Sequence, residues 1–133
     1  MSLLLMTVMC INSIAKPISN YPLPTPTEIC NINAGVNFVM YGVIGQSEGA
    51  IMIMNGTTGT FEYAGAKKKL VFKSYNSRTK QLILSEYNKK GQYVGKFVGK
   101  YIISHVYPFS SYIGKFTNVN GHTTEFALHE PAD

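Results

Sequence analysis

The ionisable residue with the strongest claim to a functional role is Glu86, at the end of a short apolar stretch. Leu82, Leu84 and Glu86 alternate with the two-residue period of a β-strand, so the carboxyl group shares a face with two leucines. If that face is inward, burial would raise the pKa of Glu86 and mark it as a candidate functional residue. We favour the other interpretation, in which Glu86 lies at a strand end and reaches solvent or pairs with a lysine across the sheet.

The remaining ionisable residues do not form a recognisable constellation. His105, His122 and His129 lack the spacing of a metal site, and we expect His122 and His129 to be exposed. The chain contains no Gly-x-Ser-x-Gly elbow, phosphate-binding loop or dinucleotide motif. Its seven acidic residues are scattered, which argues against a paired-carboxylate hydrolase. We therefore predict no catalytic residue, no metal ligand, no cofactor and no enzymatic activity.

Aromatic side chains are the other candidates for a site. The chain has nine Tyr and seven Phe but no Trp. If the sheet encloses a cavity, inward rings would form apolar walls for a small ligand. The candidate ligand-binding residues are Tyr63, Phe72, Glu86, Tyr93, Phe97, Tyr101 and Phe116.

A near-repeat indicates the elements that carry these rings. Residues 93–97 read Tyr-Val-Gly-Lys-Phe, residues 112–116 read Tyr-Ile-Gly-Lys-Phe, and residues 57–61 (Thr-Thr-Gly-Thr-Phe) are a weaker copy. We interpret the spacing between copies as a hairpin unit of two short strands and two turns.

The alternation within the repeat predicts which face each residue takes. From residue 93 to residue 101, the odd-numbered tyrosines, glycines and phenylalanine share one face, and the lysines lie on the other. A glycine beside an aromatic residue lets a neighbouring ring lie over bare backbone and lets the strand bend. We interpret the repeat as a bending and packing device, and a ring-lined ligand surface is the alternative.

Alternating stretches separated by turn residues predict eight strands, at 36–44, 50–54, 59–64, 70–75, 81–87, 93–103 (with a break near residue 99), 112–118 and 122–128. Asn55-Gly56 predicts a type I′ turn with positive φ at both residues, and Asn120-Gly121 repeats the dipeptide. In the loop 88–91 we expect Gly91 to be left-handed. The fold class is therefore all-β: an antiparallel meander over residues 35–130 that closes into a small up-and-down barrel, with an open or two-layer sheet as the alternative.

Composition and charge limit the partners. The 133 residues suffice for one domain, 14% of them are charged, and the net charge is +5. Such a charge could attract an anionic surface, but no nucleic-acid-binding motif accompanies it, so we expect no nucleic-acid partner. We interpret residues 67–69, three consecutive lysines, as a solvated turn.

The N-terminal residues resemble an export signal. Residues 3–11 are apolar but fewer than the roughly 20 that span a bilayer, and Ser13-Ile14-Ala15 provides small residues for a cleavage site. We predict a signal peptide over residues 1–15, a Pro-rich tether over residues 16–34, no transmembrane span in the mature chain, and a periplasmic or secreted location. Lipid anchoring at Cys10 is less favoured because Met9 is bulky, and Cys30 would be a quiet thiol or an intermolecular link.

Several stretches carry a family resemblance: Ala50-Ile-Met-Ile-Met-Asn-Gly, Gly59-Thr-Phe-Glu-Tyr, Leu82-Ile-Leu-Ser-Glu-Tyr-Asn, Gly95-Lys-Phe-Val-Gly and Gly114-Lys-Phe-Thr-Asn-Val-Asn-Gly. Together they resemble small exported β-meander domains, with lipocalin-like barrels, of uncharacterised Bacteroides- and Prevotella-type proteins. The resemblance covers residues 40–128 and implies a strand pattern but no active site. The Gly-x-Trp signature of many lipocalins is missing, since the chain has no Trp.

These observations predict an exported, non-enzymatic β-barrel module that acts by binding or interaction. The alternative is a carrier that holds a small apolar molecule inside a lipocalin-like barrel. The expected partner is a small hydrophobic ligand or another exported protein. An interior filled by side chains would argue against the carrier, and an open apolar cavity of about 300 Å³ or more would favour it.

Overall fold

A computed structural model describes residues 34–107 and 109–131. The predicted signal peptide, Cys10, Cys30 and the tether up to residue 33 lie outside the described residues. The strands are β1 (Val36–Ile44), β2 (Ser47–Gly56), β3 (Thr58–Tyr63), β4 (Ala66–Asn76), β5 (Gln81–Tyr87), β6 (Tyr93–Ile102), β7 (Ser111–Asn118) and β8 (Thr123–His129). No helix among the described residues is long and apolar enough to cross a membrane.

The eight strands form a closed antiparallel barrel, as predicted. Each strand pairs with its sequence neighbour, and β8 pairs with β1 to complete the ring. The closing pair is short, because only Tyr41–Ile44 of β1 meets Phe126–His129 of β8. Closure gives the backbone groups of these two segments a partner, which an open meander would leave exposed.

Alternation predicted the positions of all eight strands, and β1 and β5 match the prediction at both ends. The largest error concerns the three lysines. Residues 67–69 lie within β4, where Lys67 pairs with Glu62 and Lys69 pairs with Thr60. The predicted solvated turn is wrong because pairing with β3 extends the strand through a sequence that is polar. The predicted break in β6 is also absent, since the strand runs unbroken past Gly99.

The hairpin turns differ in type from the prediction. At the β2–β3 turn only Gly56 has a positive φ, and the two loop residues are Gly56 and Thr57, between the paired Asn55 and Thr58. The two-residue turn with positive φ at both positions, as type I′ requires, is instead Ala64-Gly65.

The β5–β6 and β7–β8 loops share one design, built on an asparagine. The side-chain oxygen of Asn118 accepts hydrogen bonds from the backbone N–H groups of Asn120 (2.9 Å) and His122 (3.0 Å). Asn88 accepts the same pair of bonds in its own loop. Each loop then has one left-handed glycine, and Gly91, at φ 81°, confirms the prediction made for it.

The core fills the middle of the barrel. Alternate residues of the strands point inward, and their side chains are almost fully excluded from water. The residues with no exposed surface include Met40, Met52, Leu70, Leu82, Leu84, Phe97 and Tyr112. The described side chains therefore leave no continuous channel along this part of the axis, and free space is found towards the end of the barrel.

The copies of the repeat do not form successive hairpin units. Residues 93–97 lie on β6 and residues 112–116 on β7, two adjacent strands that pair with each other, and the weaker copy lies on β3. The interval is long because the connection between Ile102 and Ser111 is long. The hairpin-unit interpretation is therefore wrong, and each copy belongs to a single strand.

Candidate functional site

A pocket of about 350 Å³ opens at one end of the barrel, where the loops after β1, β3, β5 and β7 gather. We call it the mouth pocket. It is lined by Ile44, Gly45, Gln46, Ser47, Phe61, Tyr63, Ala66, Lys68, Glu86, Phe97, Phe116 and Thr124. Its volume lies at the lower end of the range of roughly 300–1,000 Å³ found for small-molecule sites.

Three phenylalanines form the apolar base and wall of the mouth pocket. The ring of Phe97 lies 5.0 Å from the ring of Phe61 and 4.7 Å from that of Phe116, measured between centroids. Phe97 has no exposed surface and Phe61 is 4% exposed, so both are held by the core below. Each is the last residue of one copy of the repeat, and the three copies therefore meet at one place.

Glycines on β6 and β7 allow this convergence. Phe97 and Phe116 are directly opposed on β6 and β7, and Gly99 is opposed to Gly114 two residues away. At Gly95 a Cβ atom would lie 2.5 Å from Cζ of Phe116, so the ring occupies the space that a side chain would need. The prediction that a ring covers bare glycine backbone is confirmed at this position.

Glu86 is the buried carboxyl group of the mouth pocket. Its side chain is 5% exposed, and it continues the inward face of Leu82 and Leu84 on β5. The favoured interpretation that Glu86 reaches solvent is wrong, because closure of the barrel turns that face inward. Opposite it stand Leu70 on β4 and Gly95 on β6.

Desolvation by this burial raises the pKa of Glu86, and the positive charge of Lys68 partly offsets the rise. Lys68 is half-buried on β4 and lines the same pocket. The expected pairing of Glu86 with a lysine is not formed: among the described residues Lys68 lowers the pKa of Glu86 through its charge but makes no ion pair with it. The side-chain carboxyl group of Glu86 receives no hydrogen bond from any residue within 34–107 and 109–131.

The structure brings four of the seven predicted ligand-binding residues together. Tyr63, Glu86, Phe97 and Phe116 line the mouth pocket. Sequence reasoning missed Phe61, Lys68 and Thr124. Phe61 could have been found from the weak third copy of the repeat, whereas Lys68 was hidden within a run of lysines that resembled a turn.

The other three predicted residues lie elsewhere. Tyr93 is 45% exposed and packs edge-on against Tyr87, because a register shift in the β5–β6 pair turns it outward from the face expected for it. Phe72 is partly buried against the core. Tyr101 is buried at the opposite end of the barrel, where its ring lies 5.3 Å from that of Phe38.

The buried tyrosines at that opposite end have structural contacts. The hydroxyl of Tyr112 donates a hydrogen bond of 2.9 Å to the backbone carbonyl of Leu82. Burial raises the pKa of Tyr112 well above its ordinary value. Burial, with smaller effects of Glu130 and Tyr75, also raises the pKa of Tyr101 to about 12.

The histidines confirm the exposure predicted for His122 and His129. In the part of the chain that the structure describes, no three His, Cys, Asp or Glu side chains lie close enough together to hold a metal ion. No protein-family model, curated protein or solved structure matches this chain. The fold and the mouth pocket are therefore the grounds for any functional statement.

Proposed function

We propose that this chain is an exported, non-enzymatic β-barrel module that binds a small molecule in the mouth pocket. The observation that carries the proposal is the pocket itself, in which a buried carboxyl group meets the three converging phenylalanines. Pockets for small molecules combine apolar and aromatic walls with a few polar groups that orient the ligand, and this one has that composition.

The filled core limits where in the barrel a ligand can bind. A ligand enclosed along the barrel axis would have to displace side chains such as Met52, Leu70 and Leu84, which have no exposed surface. The mouth pocket needs no such displacement. We therefore place the ligand at the end of the barrel, over the three phenylalanines that line the pocket, of which Phe116 is half-buried and offers surface to a ligand.

Binding is also the simplest use of the polar groups present. Glu86 and Lys68 are the acidic and basic side chains that line the pocket. Covalent hydrolysis uses a nucleophile, a base within hydrogen-bond reach and an orienting group. A carboxyl and an ammonium group on aromatic walls are sufficient to orient a bound molecule.

The test is an NMR titration of the full chain with benzyl alcohol, which is small enough for the pocket and carries no charge. We expect saturable shifts of backbone amide signals around Phe61, Phe97 and Phe116. Thr124→Trp should abolish them, because Thr124 lines the pocket and indole would occupy it. Thr123→Trp, on the neighbouring exposed position of the same strand, is the matched control and should leave them unchanged.

Two results would overturn the proposal. One is the absence of saturable shifts in the wild-type chain up to the solubility limit of the alcohol. The other is a titration of the Thr124→Trp variant that is indistinguishable from that of the wild type, since the alcohol would then bind elsewhere.

A further inference from the structure

The strongest unused feature of the mouth pocket is the carboxyl group of Glu86. Buried polar groups in proteins almost always have hydrogen-bond partners, and a buried charge without one is costly. Glu86 is 5% exposed, lines the pocket, and receives no hydrogen bond from another described residue. A ligand that donates hydrogen bonds to this carboxyl group would remove the cost.

Lys68 does not donate a hydrogen bond to the carboxyl group of Glu86. The two side chains attract each other electrostatically, but within the described residues they form no ion pair. Lys68 is half-buried, and its long apolar stem allows the ammonium group to reach water while the stem stays against the wall. A ligand can therefore approach Glu86 without breaking an existing pair.

The residues that line the mouth pocket favour one sign of ligand charge over the other. The face of an aromatic ring is negative and attracts cations placed within about 6 Å of its centre. Rings from Phe61, Phe97 and Phe116 surround the same space that Glu86 faces. The carboxylate favours a positive group and disfavours a negative one, and aromatic walls tolerate a positive group beside them.

We propose, on the basis of the proposed function, that the ligand is an amine whose ammonium group meets Glu86 and whose apolar body lies against the three phenylalanines. The ammonium group supplies the hydrogen-bond donors that the carboxylate lacks. Lys68 on β4 and the hydroxyl of Tyr63 on β3 are the other titratable groups lining the pocket. Lys68 opposes the amine, so it lowers the affinity that Glu86 provides.

The test compares three probes of nearly equal size on the full chain at pH 7: benzylamine, benzyl alcohol and benzoate. We expect benzylamine to bind at least about ten-fold more tightly than benzyl alcohol, which corresponds to about 1.4 kcal/mol. Glu86→Gln should remove this preference, so that benzylamine and benzyl alcohol bind with similar affinity. Glu62→Gln is the matched control, because Glu62 lies on β3 between two pocket residues without lining the pocket, and it should keep the preference.

Acidification provides a second readout. Lowering the pH protonates Glu86, so the affinity for benzylamine should fall while the affinity for benzyl alcohol stays constant. Lys68→Met should strengthen amine binding, since it removes the opposing charge.

The outcomes separate this inference from the proposed function. If Thr124→Trp abolishes binding of benzyl alcohol but benzylamine binds no better than the alcohol, the inference of an amine ligand fails. The proposal that the chain is a binding module is then kept. Tightest binding of benzoate would make Lys68 the anchor and overturn the inference. Amine affinity that rises on acidification would also overturn it, because Glu86 would then act as a protonated donor. If no probe binds in the pocket, both proposals fail.

Discussion

Replacing Gly114 by alanine is the sharpest test of how the repeat holds the barrel together. A Cβ atom at Gly114 would lie 2.1 Å from the carbonyl oxygen of Val98 and 2.4 Å from the Cα atom of Gly99. Both neighbours are backbone atoms of β6, so no side chain can rotate away. The strands β6 and β7 must therefore move apart at this point.

The size of the effect follows from that movement. The distance from the Cβ atom to the oxygen must grow from 2.1 Å to at least 3.0 Å, the shortest approach that real Cβ atoms tolerate. Overpacking of this kind costs about 1–3 kcal/mol. Loosening the flanking interstrand hydrogen bonds costs about 0.5–1.5 kcal/mol for each bond. With about two such bonds loosened, we expect Gly114→Ala to lower the free energy of unfolding by about 2–6 kcal/mol, a large part of the roughly 5–15 kcal/mol of a typical domain.

Urea unfolding followed by far-ultraviolet circular dichroism measures this loss. Gly121→Ala is the control, because Gly121 has a positive φ of 87° but nothing within 4 Å of the added atom. It should cost about 1–2 kcal/mol from backbone strain alone. If Gly114→Ala unfolds at the wild-type urea concentration, or costs less than Gly121→Ala, the close approach of β6 and β7 is not a determinant of stability and our reasoning fails.

Two further predictions concern buried polar groups. The folded-state pKa of Glu86 is raised above its ordinary value of 4.5, so its protonation stabilises the fold at low pH, and that contribution is lost as the pH rises through the folded-state pKa. Glu86→Gln should therefore become more stable than the wild type as the pH rises from 4 to 8, by about 1.4 kcal/mol for each pH unit between the two pKa values, in urea unfolding at a series of pH values. A difference that stays constant with pH would contradict the assignment. Tyr112→Phe removes the hydroxyl that donates a hydrogen bond to the carbonyl of Leu82, and it should lower the free energy of unfolding by about 1–3 kcal/mol in the same assay. The control Tyr107→Phe, at a highly exposed position, should change nothing measurable. Equal effects of the two variants would show that the buried hydrogen bond does not stabilise the fold.

Much of the fold could be read from local patterns. The two-residue period located all eight strands because a barrel strand has one inward and one outward face. The lysines at residues 67–69 were wrongly predicted as a turn, because they belong to a strand only through pairing with Glu62 and Thr60 on β3. The turn at Asn55-Gly56 also differed, because the register of β2 and β3 shifts the loop by one residue.

The candidate site was only partly predictable. The two-residue alternation of a strand placed Glu86 on the same face as Leu84, and Phe97 on the same face as Tyr101. It could not show which face of the sheet points inward. Tyr93 shows the limit of such reasoning, because one register shift moved it out of its expected face. Lys68 also lies on the inward face of its strand, but three consecutive lysines show no alternation from which that face could be predicted.

The sequence by itself determined the all-β class, the number of strands and the face shared by the rings of a strand that has no register shift, because these depend on side-chain alternation along a single strand. The tertiary structure alone decided which segments of β1 and β8 meet at the closure and that Glu86 is buried. It also decided that Phe61, Phe97 and Phe116, far apart in the chain, meet in one pocket. The physical reason is that register and closure depend on contacts between strands, and those contacts set which residues share a space and which are excluded from water.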